Sequence, residues 1–247
     1  MEIVFLGVGE AFDEDFLNSS IIIRSNTNIM LDCGFAITSQ FWKYCSDPNF
    51  LDIIYISHTH ADHYFALPAL LTKMWSDGRT KPLMIISPKG SKHMILSLIE
   101  LGYEGFLAKF GYEIDFKEAD ANQEIKVEGI LMNFAKTSHS SINFAVRISE
   151  QGKAICYSGD GNFNPDTKEL YQGADLVIHD AYHLRTGSAN HSGIGALLKI
   201  ADKTRIKCLA LIHIKKQTRR DTHVILNHIS KSGVNAIIPN NLDVIKL

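Results

Sequence analysis

Cysteine is scarce and scattered. Cys33, Cys45, Cys156 and Cys208 form no C-x-x-C pair, which excludes a zinc ribbon or a redox dithiol and predicts free thiols in a reducing compartment. Neither sign of charge prevails: 25 Lys+Arg stand against 27 Asp+Glu, a formal net charge of −2. No tract for bulk binding of nucleic acid or anionic membrane is therefore expected. No stretch approaches the roughly 18 apolar residues of a spanning helix, and Met1 to Gly7 lacks the basic start and long apolar run of a secretory leader. The expectation is a cytoplasmic protein with no membrane partner. Linkers rich in Pro, Gly or Ser, low-complexity tracts and fixed-period repeats are also missing, which predicts one domain over residues 1–247. Without a G-x-S-x-G elbow or a P-loop, a serine hydrolase or NTPase has no support. Gly7-Val8-Gly9-Glu10-Ala11-Phe12 begins like a dinucleotide fingerprint, but Phe12 stands where the third glycine belongs and loop follows instead of helix.

What is present is an ordinary globular composition, 45% hydrophobic and 21% charged over 247 residues, enough to bury a core without disulfides. Strands are expected at Glu2 to Leu6, Ser20 to Arg24, Asn28 to Asp32, Asp52 to Ser57 and Leu83 to Ser87, with helices at Phe35 to Tyr44, His63 to Trp75 and Ser91 to Leu101. The second half restarts with strands near Tyr112 to Phe116, Glu124 to Val127, Ile130 to Lys136, Ile142 to Ile148 and Ala154 to Tyr157. It then alternates: strand Asp175 to His179, helix Ser192 to Asp202, strand Lys207 to Ile212, helix Arg220 to Ser230, and short strands near Ala236 and Val244. Two halves that each open with strands and pass into strand-helix alternation predict an α/β chain folded as a four-layer αββα sandwich.

The informative segment is Ser57-His58-Thr59-His60-Ala61-Asp62-His63, between a buried strand and an apolar helix. In extended chain His58 and His60 project to the same side. Asp62 sits where a helix starts, where free N–H groups favour a carboxylate, and His63 leaves the first turn on another bearing. Such a cluster suits two neighbouring metal ions, since polar groups gathered unpaired at a core edge are costly. Further ligands are expected at other strand ends: His139 after Ile130 to Lys136, Asp160 in Ser158-Gly159-Asp160-Gly161, and His213 after Cys208 to Ile212.

These positions, in this order, resemble the metallo-β-lactamase-fold hydrolases over nearly the whole chain. The resemblance implies that His58, His60 and His139 bind one divalent ion and Asp62, His63 and His213 a second, with Asp160 bridging. Imidazole and carboxylate ligands suit Zn2+, with Mn2+ or Fe2+ as alternatives. Asp32-Cys33-Gly34 matches the family's early Asp-Cys-Gly turn, so Asp32 could orient a ligand histidine. The implied nucleophile is a hydroxide shared by the two ions, with Asp62 also holding it. An Asp at position 160, where true dinuclear β-lactamases commonly place Cys, points to the phosphodiesterase, glyoxalase II-like thioesterase and lactonase branches.

Within that set, Leu176-Val177-Ile178-His179-Asp180-Ala181-Tyr182 and Asn190-His191-Ser192 resemble the two late motifs of ribonuclease Z, with Asp180 for Glu, Tyr182 for Thr and Gly193 for Thr. His191, and more weakly His179, are thereby candidate catalytic residues; the alternative is that His191 caps a helix beside Ser192. Only 20 residues separate His139 from Asp160, room for a hairpin and not for that subfamily's tRNA-binding arm. The reading is a phosphodiesterase acting on a small phosphodiester or an RNA 3′ end. A homodimer accords with the family, although no apolar stripe marks an interface. The alternatives are a thioesterase or lactonase using the same site, and a non-catalytic metabolite-binding signalling protein. Lys215-Lys216-Gln217-Thr218-Arg219-Arg220 reads as a solvated helix start, or as charges gathered around a phosphate.

Overall fold

The computed structural model describes residues 1–247. Fourteen strands form two seven-stranded sheets. The first contains β1 (Glu2–Gly7), β2 (Ser20–Arg24), β3 (Ile29–Leu31), β4 (Ile53–Tyr55), β5 (Leu83–Pro88) and β6 (Ile114–Ala119), with the carboxy-terminal β14 (Val244–Lys246) paired outside β1. The second runs from β7 (Glu124–Val127) through β8 (Ile130–Lys136), β9 (Phe144–Glu150), β10 (Lys153–Tyr157), β11 (Leu176–Asp180) and β12 (Leu209–Ile212) to β13 (Ala236–Ile237). Helices α1 (Thr38–Tyr44), α2 (Ala61–Tyr64), α3 (Leu67–Ser76) and α4 (Lys92–Gly102) belong to the first half; α5 (Pro165–Tyr171), α6 (Ile194–Thr204), α7 (Lys216–Arg220) and α8 (Thr222–Ser232) belong to the second. No helix is long and apolar enough to cross a membrane.

The strands are nearly continuous in apolar residues because both of their faces are covered. Along β1, Ile3 and Phe5 join the apolar layer between the sheets, while Val4 and Leu6 join the layer under α1, α3 and α4. Along β11, Leu176 and Ile178 face the inner layer and Val177 the layer under α5, α6 and α8. Cross-sheet hydrogen bonds fix the two sheets against each other: the Tyr55 hydroxyl donates to the Phe144 carbonyl at 2.6 Å and the Tyr157 hydroxyl to the Asp32 carboxylate at 2.7 Å.

β10, β11 and β12 are parallel, and β8, two antiparallel steps from β10, runs the same way. Their carboxyl ends therefore open at one edge, where polar chain takes over from apolar strand, as ligand sites of α/β sheets do.

Three local departures from the sequence reading have identifiable causes. The helix expected over His63 to Trp75 is two helices: Asp62 and His63 lie in α2, and α3 restarts with Pro68 in its first turn, where a missing N–H is harmless. α5 was not foreseen, yet its start carries a signal: the Asn164 side chain accepts the Thr167 N–H at 3.0 Å and the Thr167 hydroxyl accepts the Asn164 N–H at 3.0 Å. The helix expected from Arg220 is broken at Asp221 into α7 and α8.

Candidate metal centre

β4 ends at Tyr55, and five residues on His60, at φ −84° and ψ 148°, opens α2. This brings four ligand candidates onto one short path: His58 and His60 before the turn, Asp62 and His63 inside it. The ends of β8, β10 and β12 supply His139, Asp160 and His213. All seven fall into two groups of converging donor atoms, His58-His60-His139 and Asp62-His63-Asp160-His213.

Hydrogen bonds decide which nitrogen of three of these rings is free. Ser57 Oγ donates to Asp32 at 2.7 Å, so at 3.0 Å from His58 Nδ1 it can only accept, which places the proton of neutral His58 on Nδ1. His139 Nδ1 donates to the Asn190 carbonyl at 2.8 Å, and His63 Nδ1 to the Asp32 carboxylate at 2.6 Å. In the neutral rings each Nε2 then presents a lone pair, the form a metal ligand needs.

His58 Nε2 and His139 Nε2 both point at His60 Nδ1, at 3.0 and 3.1 Å. A single proton on His60 could satisfy one of these two contacts, whereas one cation satisfies all three nitrogens. Metal–nitrogen bonds of about 2.0–2.1 Å in a tetrahedron would set nitrogens about 3.3 Å apart, close to what is found. In the second group His63 Nε2 lies 3.2 Å from Asp62 Oδ2 and 3.3 Å from Asp160 Oδ1, yet His63 Nε2 and Asp160 Oδ1 are buried without a hydrogen-bond partner. His213 Nε2 is 3.4 Å from Asp62 and 3.4 Å from Asp160. The donor atoms thus fit two cations.

Proton affinities carry the same demand. Burial disfavours the Asp62 charge, but His63 and His213 outweigh it and hold the carboxyl well below its usual range. Burial likewise opposes ionisation of Asp160, and His213 and His63 overcome it. In turn these carboxylates hold His63 well above the ordinary imidazole value and push His213 up to about 9, against burial in both cases. Protons occupy, in the metal-free protein, the place of positive charge. His58, by contrast, is depressed by burial and by His63, and His60 by burial and by His139, so both rings favour the neutral, ligating form.

The backbone around these residues is constrained. Asp32 and His213 occupy the left-handed region, at φ 58° and 52°, a conformation that costs non-glycine residues energy and clusters at functional sites. The buried Asp32 carboxylate accepts from the Ser57 N–H (2.7 Å) and hydroxyl (2.7 Å), from His63 Nδ1 (2.6 Å) and from the Tyr157 hydroxyl (2.7 Å). Asp32 accordingly orients His63 directly and His58 through Ser57. A side chain at Gly34 would run into the Asp62 carbonyl, so glycine lets the Asp-Cys-Gly turn pass behind the ligands.

The two late-motif histidines part company. His191 Nδ1 donates to Asp180 Oδ2 at 2.9 Å and lies 4.0 Å from Asp160 Oδ2, and its ring stacks on those of Tyr182 (4.8 Å) and His213 (5.6 Å). Burial lowers its proton affinity, but Asp180 more than compensates and raises it. His179 lies outside both ligand groups: it packs edge-on against Tyr171 of α5 at 5.5 Å and donates from Nδ1 to the Asp180 carbonyl. The sequence reading did not single out Asp180. Its carboxylate accepts from His191, from the Gly161 N–H at 3.0 Å and from the Tyr182 N–H at 3.1 Å. With α5 in place the strand alternation follows: Val177 and His179 share the helix-covered face, which leaves Asp180 to the site edge.

The basic run opens α7 as expected, with Lys215 and Arg220 exposed and Arg219 buried. Lys216 pairs with Glu14 at 2.8 Å and Arg220 with Asp15 at 3.3 Å. Arg219 is buried, 4.0 Å over the Phe16 ring, and burial pushes its pKa down to about 10. These contacts clasp the Glu10–Leu17 loop.

The family described as anti-Pycsar protein Apyc1 matches residues 1–230. The chain belongs to this family. It is also similar to ribonuclease Z of Methanosarcina acetivorans, 26% identical over 298 aligned positions that cover 98% of this chain and 96% of that protein. An alignment longer than the 247-residue chain means that this relative of the Apyc1-family chain carries segments absent here. The metallo-β-lactamase fold is seen in two solved structures. The protein YhfI from Bacillus subtilis has a TM-score of 0.85 at 18% identity, covering 99% of this chain and 98% of that one. Human tRNase Z, short form, has a TM-score of 0.79 at 22% identity, covering 100% of this chain and 99% of that one.

Proposed function

We propose that this protein is a dinuclear metal-dependent phosphodiesterase, with His58, His60 and His139 holding one divalent ion, Asp62, His63 and His213 the other, and Asp160 shared between them. Zn2+ is the first choice for such nitrogen and carboxylate donors, with Mn2+ or Fe2+ as alternatives. The observation that carries the reading is the convergence of imidazole nitrogens and buried, unpaired carboxylate oxygen on two points. Both sheets contribute ligands across one apolar layer, which supports a single hydrolase domain over residues 1–247. The four free cysteines agree with a cytoplasmic setting.

Two bound ions would supply Lewis-acid activation of the phosphoryl group and of a water at neutral pH. The chain's own residues do the rest. Asp62 and Asp160 concentrate negative charge where the cations would sit, Asp32 fixes the ring of His63, and His191, whose proton affinity Asp180 raises against burial, is placed to hand a proton to the leaving oxygen. The His191–Asp180 pair beside Asp160 favours a phosphodiester over a thioester, because a departing alkoxide needs a proton donor and a departing thiolate does not. The β9–β10 hairpin that links the His139 and Asp160 regions leaves no arm for docking a folded RNA, so the substrates proposed are small phosphodiesters or a free RNA 3′ end. The likeness to ribonuclease Z agrees with this bond type.

The test is hydrolysis of bis-(p-nitrophenyl) phosphate by zinc- and manganese-loaded protein, with Asp160→Ala as the blank. Metal-dependent turnover that the variant lacks is expected. Absence of turnover with two metals bound, together with hydrolysis of an aryl thioester or a lactone, would overturn the phosphodiester assignment.

A further inference from the structure

Tyr182 lies two residues beyond Asp180, where β11 has ended, and its backbone is tied on both sides. The Ala181 N–H donates to the Ile212 carbonyl at 2.9 Å, which carries the parallel pairing of β11 and β12 up to His213. The Tyr182 N–H donates to Asp180 Oδ1 at 3.1 Å, and the Tyr182 carbonyl accepts the Lys215 N–H at 3.2 Å, two residues beyond His213. On the other side His183 bridges to Gly193: its N–H donates to the Ser192 carbonyl at 3.1 Å and its carbonyl accepts the Ile194 N–H at 2.8 Å. Tyr182 is thereby set between the segment of His213 and that of His191.

The ring uses that place. It packs on His191 at 4.8 Å and 28° and on His213 at 6.1 Å and 39°, and the two imidazoles lie 5.6 Å apart at 11°. Three rings thus form a triangle with no side above 6.1 Å. His139 meets the His191 ring only edge-on, at 5.2 Å, so Tyr182 is its nearest face-on partner. None of the backbone ties uses the Tyr182 hydroxyl, and a threonine, the residue of the late motif that this segment resembles, would offer no flat face.

His191 needs such a support. Its side chain is 22% exposed and follows Ser188, Ala189 and Asn190, all exposed. The bond from Nδ1 to Asp180 at 2.9 Å fixes one atom of a side chain that turns about two bonds. With Nδ1 committed to Asp180, Nε2 carries the proton that can pass to a leaving oxygen, and rocking about Nδ1 displaces that delivering atom.

Resting on the phosphodiesterase reading, we propose that Tyr182 is a positioning residue: its ring, and not its hydroxyl, holds the His191 imidazole against His213 and so keeps Nε2 in place for proton delivery. An aromatic pair of this kind favours the held position by about two- to twelvefold, and a proton donor out of place costs rate.

The experiment compares methyl phenyl phosphate with methyl p-nitrophenyl phosphate on the zinc-loaded protein. Phenoxide is the more basic leaving group and depends on an acid, whereas p-nitrophenoxide departs with little help. Tyr182→Ala should lower kcat for the phenyl ester about two- to twelvefold more than for the p-nitrophenyl ester, with both KM values within about twofold of the wild type. Tyr182→Phe should restore the wild-type ratio. Tyr182→Leu keeps apolar bulk without a flat ring, and should follow Tyr182→Ala in direction even if the smaller side chain disturbs folding. Independently of turnover, the carbon-bound ring protons of His191, followed by magnetic resonance in zinc-loaded protein with isotope-labelled histidine, should lose their ring-current shift in Tyr182→Ala and Tyr182→Leu and keep it in Tyr182→Phe. Equal loss on both esters, a raised KM with kcat kept, which would make the ring a substrate contact, or unmoved His191 resonances would overturn the proposal. His191→Ala tests the underlying reading: if it leaves the ester ratio as it was, the acid assignment fails, and the ring-current shift alone decides whether Tyr182 holds the imidazole.

Discussion

Asp32→Asn isolates the charge that stands behind the metal ligands. Asp32 holds a left-handed φ of 58°, a conformation asparagine tolerates as well as aspartate, so the backbone gives no reason for an effect. The carboxylate meets four donors: Oδ1 accepts the Ser57 N–H, and Oδ2 accepts the Ser57 hydroxyl, His63 Nδ1 and the Tyr157 hydroxyl. The least damaging amide orientation keeps oxygen at the Oδ2 position and turns the NH2 group onto the Ser57 N–H. That leaves one buried donor facing another, at about 1–3 kcal/mol, and weakens three charge-assisted bonds to neutral ones, bringing the total to about 2–5 kcal/mol. For a chain of this size the melting temperature should fall by about 5–15 °C. His63 also loses the partner that sets its tautomer, so zinc held by Asp62, His63 and His213 should bind about 10- to 100-fold more weakly. The other ion, touched only through Ser57 and His58, should suffer less. Competition with a chromogenic chelator reads the two affinities separately, and calorimetry reads the melting temperature. If Asp32→Asn binds two zinc ions as tightly as the wild type and melts at the same temperature, the assigned role of Asp32 is wrong.

Asp62→Ala or Asp160→Ala should lower kcat for a phosphodiester about a hundredfold or more while metal-loaded protein keeps its far-ultraviolet circular dichroism; near-normal turnover in either variant removes that residue from the reaction. His191→Ala should cut phosphodiester turnover about a hundredfold and leave aryl thioester turnover unchanged. A protonated His191 is the active form, so rate falls as pH rises through its pKa. Asp180 raises that pKa, and Asp180→Asn should therefore move the falling limb to lower pH, whereas an unmoved limb in a pH-rate profile denies His191 the role of acid. With His213 pushed up to about 9 in the metal-free protein, zinc binding near pH 7 must displace a proton. Titration calorimetry in buffers of different ionisation enthalpy should register that release, and a buffer-independent enthalpy would contradict the assigned proton affinities.

Much of the site lies in covalent geometry and could be read without the fold. His58, His60, Asp62 and His63 occupy one strand-to-helix passage, where a two-residue period followed by a helical turn delivers two adjacent pairs of side chains to one sheet edge. His139, Asp160 and His213 each follow an apolar run, and the structure places them at the same sheet edge because buried strands end where polar chain begins. The choice between neighbours His179 and Asp180 was different in kind. Both are polar residues at the end of one fully buried strand, and no local pattern says which face α5 covers; Tyr171 of that unforeseen helix takes the His179 side and leaves Asp180 to His191. Lys216, Arg219 and Arg220 meet Glu14, Phe16 and Asp15 from some 200 residues away. Asp32 likewise meets Tyr157 across the space between the two sheets. Spacing along the chain determined which groups can gather within a turn or a strand. Pairing between distant segments, which depends on register and on which face each helix buries, was decided only by the tertiary structure.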